Sequence, residues 1–371
     1  MSNLSNNKTY IPEYSTFFMN KMSNTTLKTF RIYEPLDITT GLLNLLSQTT
    51  KYLKGEVLIP RTNYRYVIRP FIQGISITSS NLSNLIRITR INEQINVIGI
   101  DSTCIPLAES KNGLIVAARV AMVQKNGKIF KAIRIGPIIA YLNNDTLNLL
   151  RDVLYIPRKL LKLANVEVRY ARKILLEALE TAMLIEATQL NEETMILIDG
   201  SLKEPSVQFK NFPFKKVIRA SLRRGNFLIG ISKRSNLFKW CFKEFSLLAS
   251  ENPPIAVLVE DAPKYVKNLW GEVFFALLAK NGVPLRVDVM AIDSPEHVLN
   301  LLYSNDLLRN GYPETLRKAH IYSKFLNSEN VCLRLLLTKF ESKIVKCEKE
   351  REVLFGSFNK SAREWEQVEA L

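Results

Sequence analysis

The sequence predicts an α/β fold in which a mixed sheet is flanked by helices, and three observations support this. Two short apolar runs, Val97–Ile100 and Met195–Ile198, each end in an aspartate and turn-forming residues, as buried strands do. A long helical pattern over 166–190 lies between them. Residues 96–136, which include the first run, contain apolar stretches. Two of these stretches are joined by the Lys-Asn-Gly-Lys sequence at 125–128, which is typical of a hairpin turn. We therefore expect strands of both directions around one core.

The elements follow in a regular order from Asn96. NVIGID, LIVAARVAMV and IFKAIRIG predict a three-stranded antiparallel meander, followed by a short helix around 145–154 and a break at Pro157. The long helix and the strand TMILID come next, which gives the order β-β-β-α-β. Acids close strand one and strand four and also lie on the helix, an order that matches the ribonuclease H-like core. The later predicted elements are a strand at 227–232, a helix at 236–249, strands at 255–260, 272–279 and 284–291, and helices from about 295.

Three segments are expected along the chain. Residues 1–94 mix Ser/Asn/Thr-rich stretches with short amphipathic pieces such as Leu42–Leu53, and we interpret them as an N-terminal extension for dimer or partner contacts. The core is predicted over 95–330. A C-terminal helical segment is predicted over 331–371.

The charge balance predicts a polyanionic partner. Lys and Arg outnumber Asp and Glu 51 to 35, which gives a net charge of +16 and a pI near 9.6. Such an excess favours nucleic acid over a membrane surface, although a generally basic proteome is the alternative explanation. Between Glu204 and Glu244 there is no acid, and basic residues alternate with aromatic ones as in a single-strand-binding groove, although about half of these aromatics are expected in the core. The predicted DNA-binding residues are Lys215, Lys216, Arg223, Arg224, Lys233 and Arg234.

Several protein classes are disfavoured by composition. No stretch approaches the roughly 20 apolar residues of a membrane helix, and the polar N-terminus lacks the pattern of a signal peptide, so we expect a cytoplasmic protein. Four scattered cysteines and two histidines disfavour structural zinc and a disulfide framework. The segment Gly225–Lys233 has the wrong order and an apolar centre for a phosphate-binding loop, so ATP hydrolysis is not expected.

Asp101 and Asp199 are the leading candidates for a metal site. An acid at the end of a buried strand is costly unless solvent, hydrogen bonds or a cation meets it. Each could be only a turn former, but the repetition after two separate strands favours ligation of a hard metal. Carboxylates suit Mg²⁺ and Mn²⁺, which makes metal-assisted hydrolysis the first hypothesis.

Three further candidates each keep an alternative. Glu177 lies one helical turn before Glu180, and the sequence does not choose between a ligand and a solvated helix acid. Asp288, inside an apolar strand, either faces the same site or pairs with neighbouring Arg286. His320 lies in a predicted helix, where a lone histidine is more often structural than catalytic.

At these residues the chain resembles the NurA family, archaeal and bacterial nucleases that work with the hexameric HerA-type DNA translocase. The resemblance covers about 96–325, and its most specific parts are the LIDGSL and GYPETLRKAH segments together. It departs from the family at Asp101-Ser102-Thr103, where Asp-Gly-Ser or Asp-Gly-Gly is usual. The matching segments are IGIDST, the Glu-Ala-Leu-Glu stretch at 177–180, LIDGSL, GISKRSNLF, LRVDVMA and GYPETLRKAH.

The resemblance implies a homodimeric, ribonuclease H-like deoxyribonuclease that uses Mn²⁺ or Mg²⁺. It implies 5′–3′ exonuclease and single-strand endonuclease activity, with a HerA-like hexameric ATPase as partner in DNA end resection and double-strand break repair. Asp101, Glu177 and Asp199 would be the metal-binding acids, with Asp288 and His320 near the site. The alternatives are a non-catalytic DNA-binding adaptor of a translocase, which the presence of all three acids disfavours, and another ribonuclease H-like nuclease.

Overall fold

One large mixed sheet organises the molecule. The structure is a computed structural model, and it describes residues 36–60, 85–166, 168–241, 244–245, 247–248, 251–306, 308–340 and 343–344. The strands are β1 (Val57–Pro60), β2 (Leu85–Arg87), β3 (Asn96–Ser110), β4 (Gly113–Asn126), β5 (Ile129–Asn143), β6 (Leu154–Tyr155), β7 (Thr194–Asp199), β8 (Gln208–Phe209), β9 (Phe227–Ser232), β10 (Ile255–Leu258), β11 (Glu272–Leu277), β12 (Leu285–Met290), β13 (Leu308–Arg309), β14 (Tyr312–Pro313) and β15 (Lys343–Ile344).

Helices cover both faces of this sheet. In the described part of the chain, none of them is long and apolar enough to cross a bilayer. The helices are α1 (Leu36–Gln48), α2 (Asn144–Val153), α3 (Arg158–Val166), α4 (Val168–Leu190), α5 (Phe214–Arg223), α6 (Leu237–Trp240), α7 (Ala262–Tyr265), α8 (Pro295–Asn305), α9 (Glu314–Ser323) and α10 (Asn327–Leu336), with 3₁₀ turns at Thr49–Leu53 and Leu337–Phe340.

The predicted meander is confirmed. Strands β3, β4 and β5 pair antiparallel in sequence order, and Asn126 of β4 lies opposite Ile129 of β5 across a two-residue turn. Gly127 opens that turn with a φ of 54°, a conformation that costs glycine little and other residues more.

The strands of the predicted β-β-β-α-β series lie side by side at the centre of the sheet. The strands run β5-β4-β3-β7-β9, and β3, β7 and β9 are mutually parallel. Helix α4 connects the meander to β7, and α5 is the crossover between β7 and β9. The predicted α/β fold with a mixed sheet flanked by helices is therefore confirmed.

Additional strands extend the sheet at both sides. Beyond β9 the order continues β12-β11-β10-β2, with every pair antiparallel. At the far end of β3, β1 pairs antiparallel with β3 and parallel with β15. Segments before residue 94 and after residue 330 thus contribute strands to the sheet, while the division at 94 and 330 stays a prediction.

One predicted helix is interrupted. The pattern over 236–249 predicted a single helix, but α6 ends at Trp240, Cys241 takes a non-helical conformation, and the described residues 244–245 and 247–248 are helical again. The residues 242–243, 246 and 249–250 of that prediction lie outside the described residues.

The two faces of the sheet differ in their helices. Residues of α8 and α9 join the same buried cluster as Val97, Met195 and Ile229 of the central strands. Because successive strand residues point to opposite faces, the odd-numbered residues of β3 and β7 face α9. Helix α4 packs against β3 and β4 from the other face.

Candidate metal centre

Three side chains from three separate elements converge at the carboxyl end of β7. Asp101 comes from β3, Asp199 is the last residue of β7, and His320 lies on α9. Each offers one ligand atom, and these atoms all lie within 4.8 Å of one another. Two carboxylates and an imidazole therefore meet although Asp101 and His320 are 219 positions apart in the chain.

Close packing of α9 on β3 creates this convergence. A Cβ atom added at Gly99 would lie 2.7 Å from the carbonyl carbon of Thr315, in the first turn of α9. Only glycine lets the helix backbone rest directly on the strand there. Since Gly99 and Asp101 share a face, the same contact brings His320 against Asp101.

Asp101 is held on the α9 side by two partners. Its Oδ2 lies 2.8 Å from Nδ1 of His320 and accepts a 2.8 Å hydrogen bond from the Ser323 hydroxyl. The Ser323 hydroxyl also lies 3.0 Å from that of Thr103, two residues further along the same strand face. With Asp101 7% exposed, these contacts fix an acid that is almost removed from solvent.

The pKa of Asp199 is raised by its surroundings. Burial raises its pKa, and the neighbouring Asp101 carboxylate raises it further. The charges of Lys233 and His320 and the Tyr312 phenol act in the opposite direction. Negative charge at the site is therefore only partly compensated by the protein.

Lys233 and Tyr312 border the site. Lys233 follows β9 directly, and its Nζ lies 3.7 Å from the centroid of the Tyr312 ring, within cation–π range. The Tyr312 hydroxyl is buried without a hydrogen-bond partner of ordinary geometry among the described residues. Burial raises the pKa of the Tyr312 phenol, and the negative charges of Asp199 and Asp101 raise it further.

Of the two helix acids, Glu180 is the one closely coupled to the aspartates. It accepts a 2.7 Å hydrogen bond from the hydroxyl of Ser102, on the face of β3 opposite to Asp101. Burial, together with Asp101, Asp199 and Glu177, raises its pKa to about 8. Glu177 instead accepts from the backbone N–H of Val207 at 3.0 Å and pairs with Lys173. The assignment of Glu177 as a ligand stays a prediction, and neither helix acid belongs to the cluster of Asp101, Asp199 and His320.

Asp288 pairs with Arg286, which is the second of the two roles that the sequence left open. It is fully buried and pairs through both oxygens with Arg286, at 2.7 Å each, on the opposite sheet face from α9. Its Oδ2 also accepts the backbone N–H of Leu202, in the loop after Asp199. Gly230 lets this loop lie against β9, since an added Cβ there would be 2.6 Å from the Leu202 nitrogen. Asp288 therefore positions the Asp199 loop and does not face the aspartates.

The donor set fits a hard divalent cation. Carboxylate oxygens with one imidazole suit Mn²⁺ and Mg²⁺ better than softer metals. Burial, and after it the neighbouring carboxylates, raises the pKa of Asp199 and of Glu180, and a bound cation would favour the charged form of both acids.

Comparison with known proteins gives the family. Residues 95–325, more than half of the 371-residue chain, match the NurA domain. The chain belongs to the NurA family. The resemblance predicted from the motifs is thereby confirmed.

Three solved structures are similar to this NurA chain at low sequence identity. The NurA nuclease from Sulfolobus solfataricus is 19% identical with a TM-score of 0.44, covering 69% of this chain and 86% of that one. A NurA bound to dAMP and manganese is 8% identical with a TM-score of 0.41, covering 66% and 88%. Endonuclease V from Bacillus subtilis is 12% identical with a TM-score of 0.33, covering 70% and 87%. No curated protein sequence matches the chain.

The basic residues predicted for DNA binding do not share one surface of the NurA domain. Lys233 and Arg234 are exposed and follow the end of β9, on the side of the metal centre. Lys215 and Lys216 are exposed in the first turn of α5. Their part in DNA binding stays a prediction.

The other two predicted residues lie at the opposite end of the sheet. Arg223 and Arg224 close α5, which runs antiparallel to β7 because it is a crossover between parallel strands. The Nε of Arg224 donates to the carbonyl oxygen of Asn191, three residues before β7 begins. This pair is thus separated from the metal centre by the length of β7.

Sequence reasoning missed two side chains of the NurA site. Tyr312 lies in the same Gly-Tyr-Pro segment that drew attention to His320. Ser323 is three positions after His320, so the two share a helix face, and that spacing was the available signal.

Proposed function

We propose that this NurA chain is a deoxyribonuclease that depends on Mn²⁺ or Mg²⁺. The observation that carries the proposal is the convergence of Asp101, Asp199 and His320. A bound divalent cation would supply positive charge to activate water and to offset charge on the phosphodiester. The net charge of +16 supports a polyanionic substrate.

The protein's own side chains would prepare this site. Ser323 and His320 hold Asp101 in one orientation, and a histidine whose Nδ1 faces a carboxylate keeps Nε2 for a ligand or a proton. Lys233, beside Asp199, offers a positive charge to a phosphate oxygen. Asp288 keeps the loop after Asp199 in place.

The finer activities are also part of this proposal. A chain without a recognisable ATP-binding loop needs a motor to deliver DNA, which supports a HerA-like hexameric ATPase as partner. We expect 5′–3′ exonuclease and single-strand endonuclease activity in DNA end resection, from a homodimer that uses two such sites. A monomer at micromolar concentration in sedimentation would contradict the dimer. Full resection without ATPase or ATP would contradict the coupling.

The nuclease proposal is tested with end-labelled DNA in Mn²⁺ or EDTA. We expect cleavage by the wild type only with Mn²⁺, and a fall to under about one hundredth in Asp101→Asn and Asp199→Asn, because each loses ligand charge at unchanged volume. Thermal stability without metal should hold or rise, since repulsion between the carboxylates is relieved.

Asp293→Asn is the matched control. It neutralises an exposed aspartate outside the site and should leave cleavage intact. Mn²⁺-dependent cleavage at the wild-type rate by both site variants would refute the assignment of the active site.

A further inference from the structure

A second feature of chemical interest is a cleft of about 920 Å³ away from the metal centre. Three cationic side chains line it, together with one exposed aromatic ring and one acid, Asp152. The lining side chains used below are Arg151, Tyr155, Arg158 and Lys210, with Asn148 at the rim.

The cleft is built by two chain segments that pair as strands. Leu154 and Tyr155 of β6 pair antiparallel with β8, and the backbone N–H of Lys210 donates to the carbonyl oxygen of Val153 at 3.1 Å. The floor is ordered, since Leu154 and Ile156 are buried. A pocket on paired backbone keeps its shape before any ligand arrives.

The cations of the cleft are available for a ligand. Arg151, Arg158 and Lys210 are exposed, and within the described part of the chain none of them forms an ion pair. Arg151 has only a 3.5 Å contact with the side-chain oxygen of Asn148. Three cations against the single acid Asp152 leave a positive cleft that suits phosphate groups.

Tyr155 adds a surface for a planar ligand. It is 60% exposed, although a large aromatic side chain loses free energy when its ring remains in water. Stacking of bases on such rings, with cations placed for the backbone phosphates, is how proteins hold single strands without sequence preference.

The cleft is connected to the metal centre through α4. Val207, directly before β8, donates its backbone N–H to Glu177. Glu177 precedes Glu180, the acid coupled to both aspartates, by nearly one helical turn of about 5.4 Å. A hydrogen bond thus links the chain segment that enters β8, and continues to Lys210 of the cleft, to the helix that carries both acids.

We propose that this cleft binds single-stranded DNA, with Arg151, Arg158 and Lys210 on phosphates and Tyr155 stacked on a base. The proposal rests on the proposed nuclease function for the identity of the polymer. It assigns the cleft to nucleotides outside the scissile bond, so it governs affinity and not the chemical step.

The test is fluorescence anisotropy of a labelled oligonucleotide in EDTA, where binding is read without cleavage. We expect the Arg151→Gln/Arg158→Gln/Lys210→Gln variant to bind single-stranded DNA at least about tenfold more weakly at 0.1 M salt, with a salt slope smaller by about 2. Tyr155→Ala should lose about tenfold, while Tyr155→Phe keeps the ring and should bind as the wild type does.

Lys111→Gln/Lys128→Gln/Lys131→Gln is the matched control, since it removes three exposed cations from the meander. An equal loss in this control, or wild-type affinity and salt slope in the cleft variant, would overturn the proposal. The single variant Lys210→Gln, whose side chain is exposed, keeps the test valid if the triple variant does not fold.

Competition identifies the ligand. A 5′-mononucleotide or inorganic phosphate that displaces the oligonucleotide at micromolar concentration would make the cleft a small-anion site and would overturn the strand assignment. Duplex DNA that loses as much affinity as single-stranded DNA would overturn it as well. Because all these readouts are binding in EDTA, they stand or fall independently of whether the chain cleaves DNA.

Discussion

Hydrogen bonds to a single oxygen decide the orientation of Asp101. Ser323 and His320 both meet Oδ2, so among the described contacts Oδ1 remains for another ligand. The same residue is almost removed from water, which makes its partners more important than at an exposed site. At the residue scale, the site therefore depends on side chains that do not themselves need to touch a substrate.

Asp288 provides a residue-scale test of such a supporting role. Asp288→Asn leaves the Arg286 guanidinium, 4% exposed, without a carboxylate, and an uncompensated buried charge costs about 3–5 kcal/mol. We expect a loss of this size in the free energy of unfolding, measured by urea denaturation. Hydrolysis should also fall, because only one acceptor oxygen is left for Arg286 and for the Leu202 N–H that anchors the loop after Asp199.

The control for that measurement is a second ion pair. Asp261→Asn breaks the exposed pair between Asp261 and Lys264, which should cost far less stability because water screens both charges. Similar losses in the two variants would mean that the Asp288 pair does not stabilise the fold through its burial.

At the element scale, the distance between α9 and β3 is the controlling quantity. The helix rests on the strand at Gly99 and carries both His320 and Ser323 to Asp101. Helix and strand share one buried cluster, in which Leu316 of α9 is completely buried. The metal centre is therefore a consequence of helix packing as much as of strand ends.

Gly99→Ala tests this packing. The added methyl group would meet the backbone of Thr315 at 2.7 Å, so α9 has to move away from the strand. We expect a loss of about 1–3 kcal/mol in stability, as for other overpacked sites, and a weaker affinity for Mn²⁺ in isothermal titration calorimetry. Ala132→Val, which adds methyl groups at an exposed position of β5, should change neither quantity. Unaltered Mn²⁺ affinity in Gly99→Ala would show that α9 does not set the site geometry.

Sequence patterns predicted where strands and helices lie better than they predicted which side chains touch between these elements. Asp101 and Asp199 were visible because each follows a short apolar run, but only Asp199 ends its strand, since β3 continues past Asp101 to Ser110. The different surroundings of Glu177 and Glu180 were not visible, because their partners Val207 and Ser102 lie on other elements. Alternation with Val287 and Val289 left two roles open for Asp288, and only the position of the Leu202 loop decides between them.

At the scale of the whole molecule, Glu329 of α10 ties the helix to two strands of the meander. Arg119 of β4 donates to both of its oxygens, and Arg134 of β5 donates to one. Arg119 itself is 1% exposed and packs over the ring of Phe325. The hydrogen bond from Arg119, followed by that from the Leu326 N–H, lowers the pKa of Glu329 to about 2.

This network predicts a pH dependence of global stability. A carboxyl whose pKa is lower in the folded state stabilises the fold above its unfolded value near 4.5, and that contribution is lost as pH falls towards 2. We expect the free energy of unfolding to fall more steeply from pH 5 to 3 in the wild type than in Glu329→Gln. Glu296→Gln, at an exposed position, should follow the wild-type curve. Parallel curves for wild type and Glu329→Gln would contradict the lowered pKa.

The order of the sheet was predictable as far as β9, because the β-β-β-α-β order admits few arrangements. The strands beyond it were expected, but their order β12-β11-β10-β2 was not. Strand β2 joins through pairing with β10, a contact between segments about 170 positions apart that no local pattern signals.

The two-residue turn between Ser110 of β3 and Gly113 of β4 has a consequence for the fidelity of folding. A shift of β3 by one residue would turn Asp101 towards α4 and Ser102 towards His320, exchanging an acid for a hydroxyl at the metal centre. Apolar patterning gives little protection against this error, because β4 is buried on both faces from Leu114 to Val123. Alignment must then be specified by the tight turn and by single polar side chains such as Arg119. A misaligned β3 would also place Ile98 or Ile100 against the backbone of Thr315, where only glycine fits, so this turn and the packing of α9 enforce the same alignment.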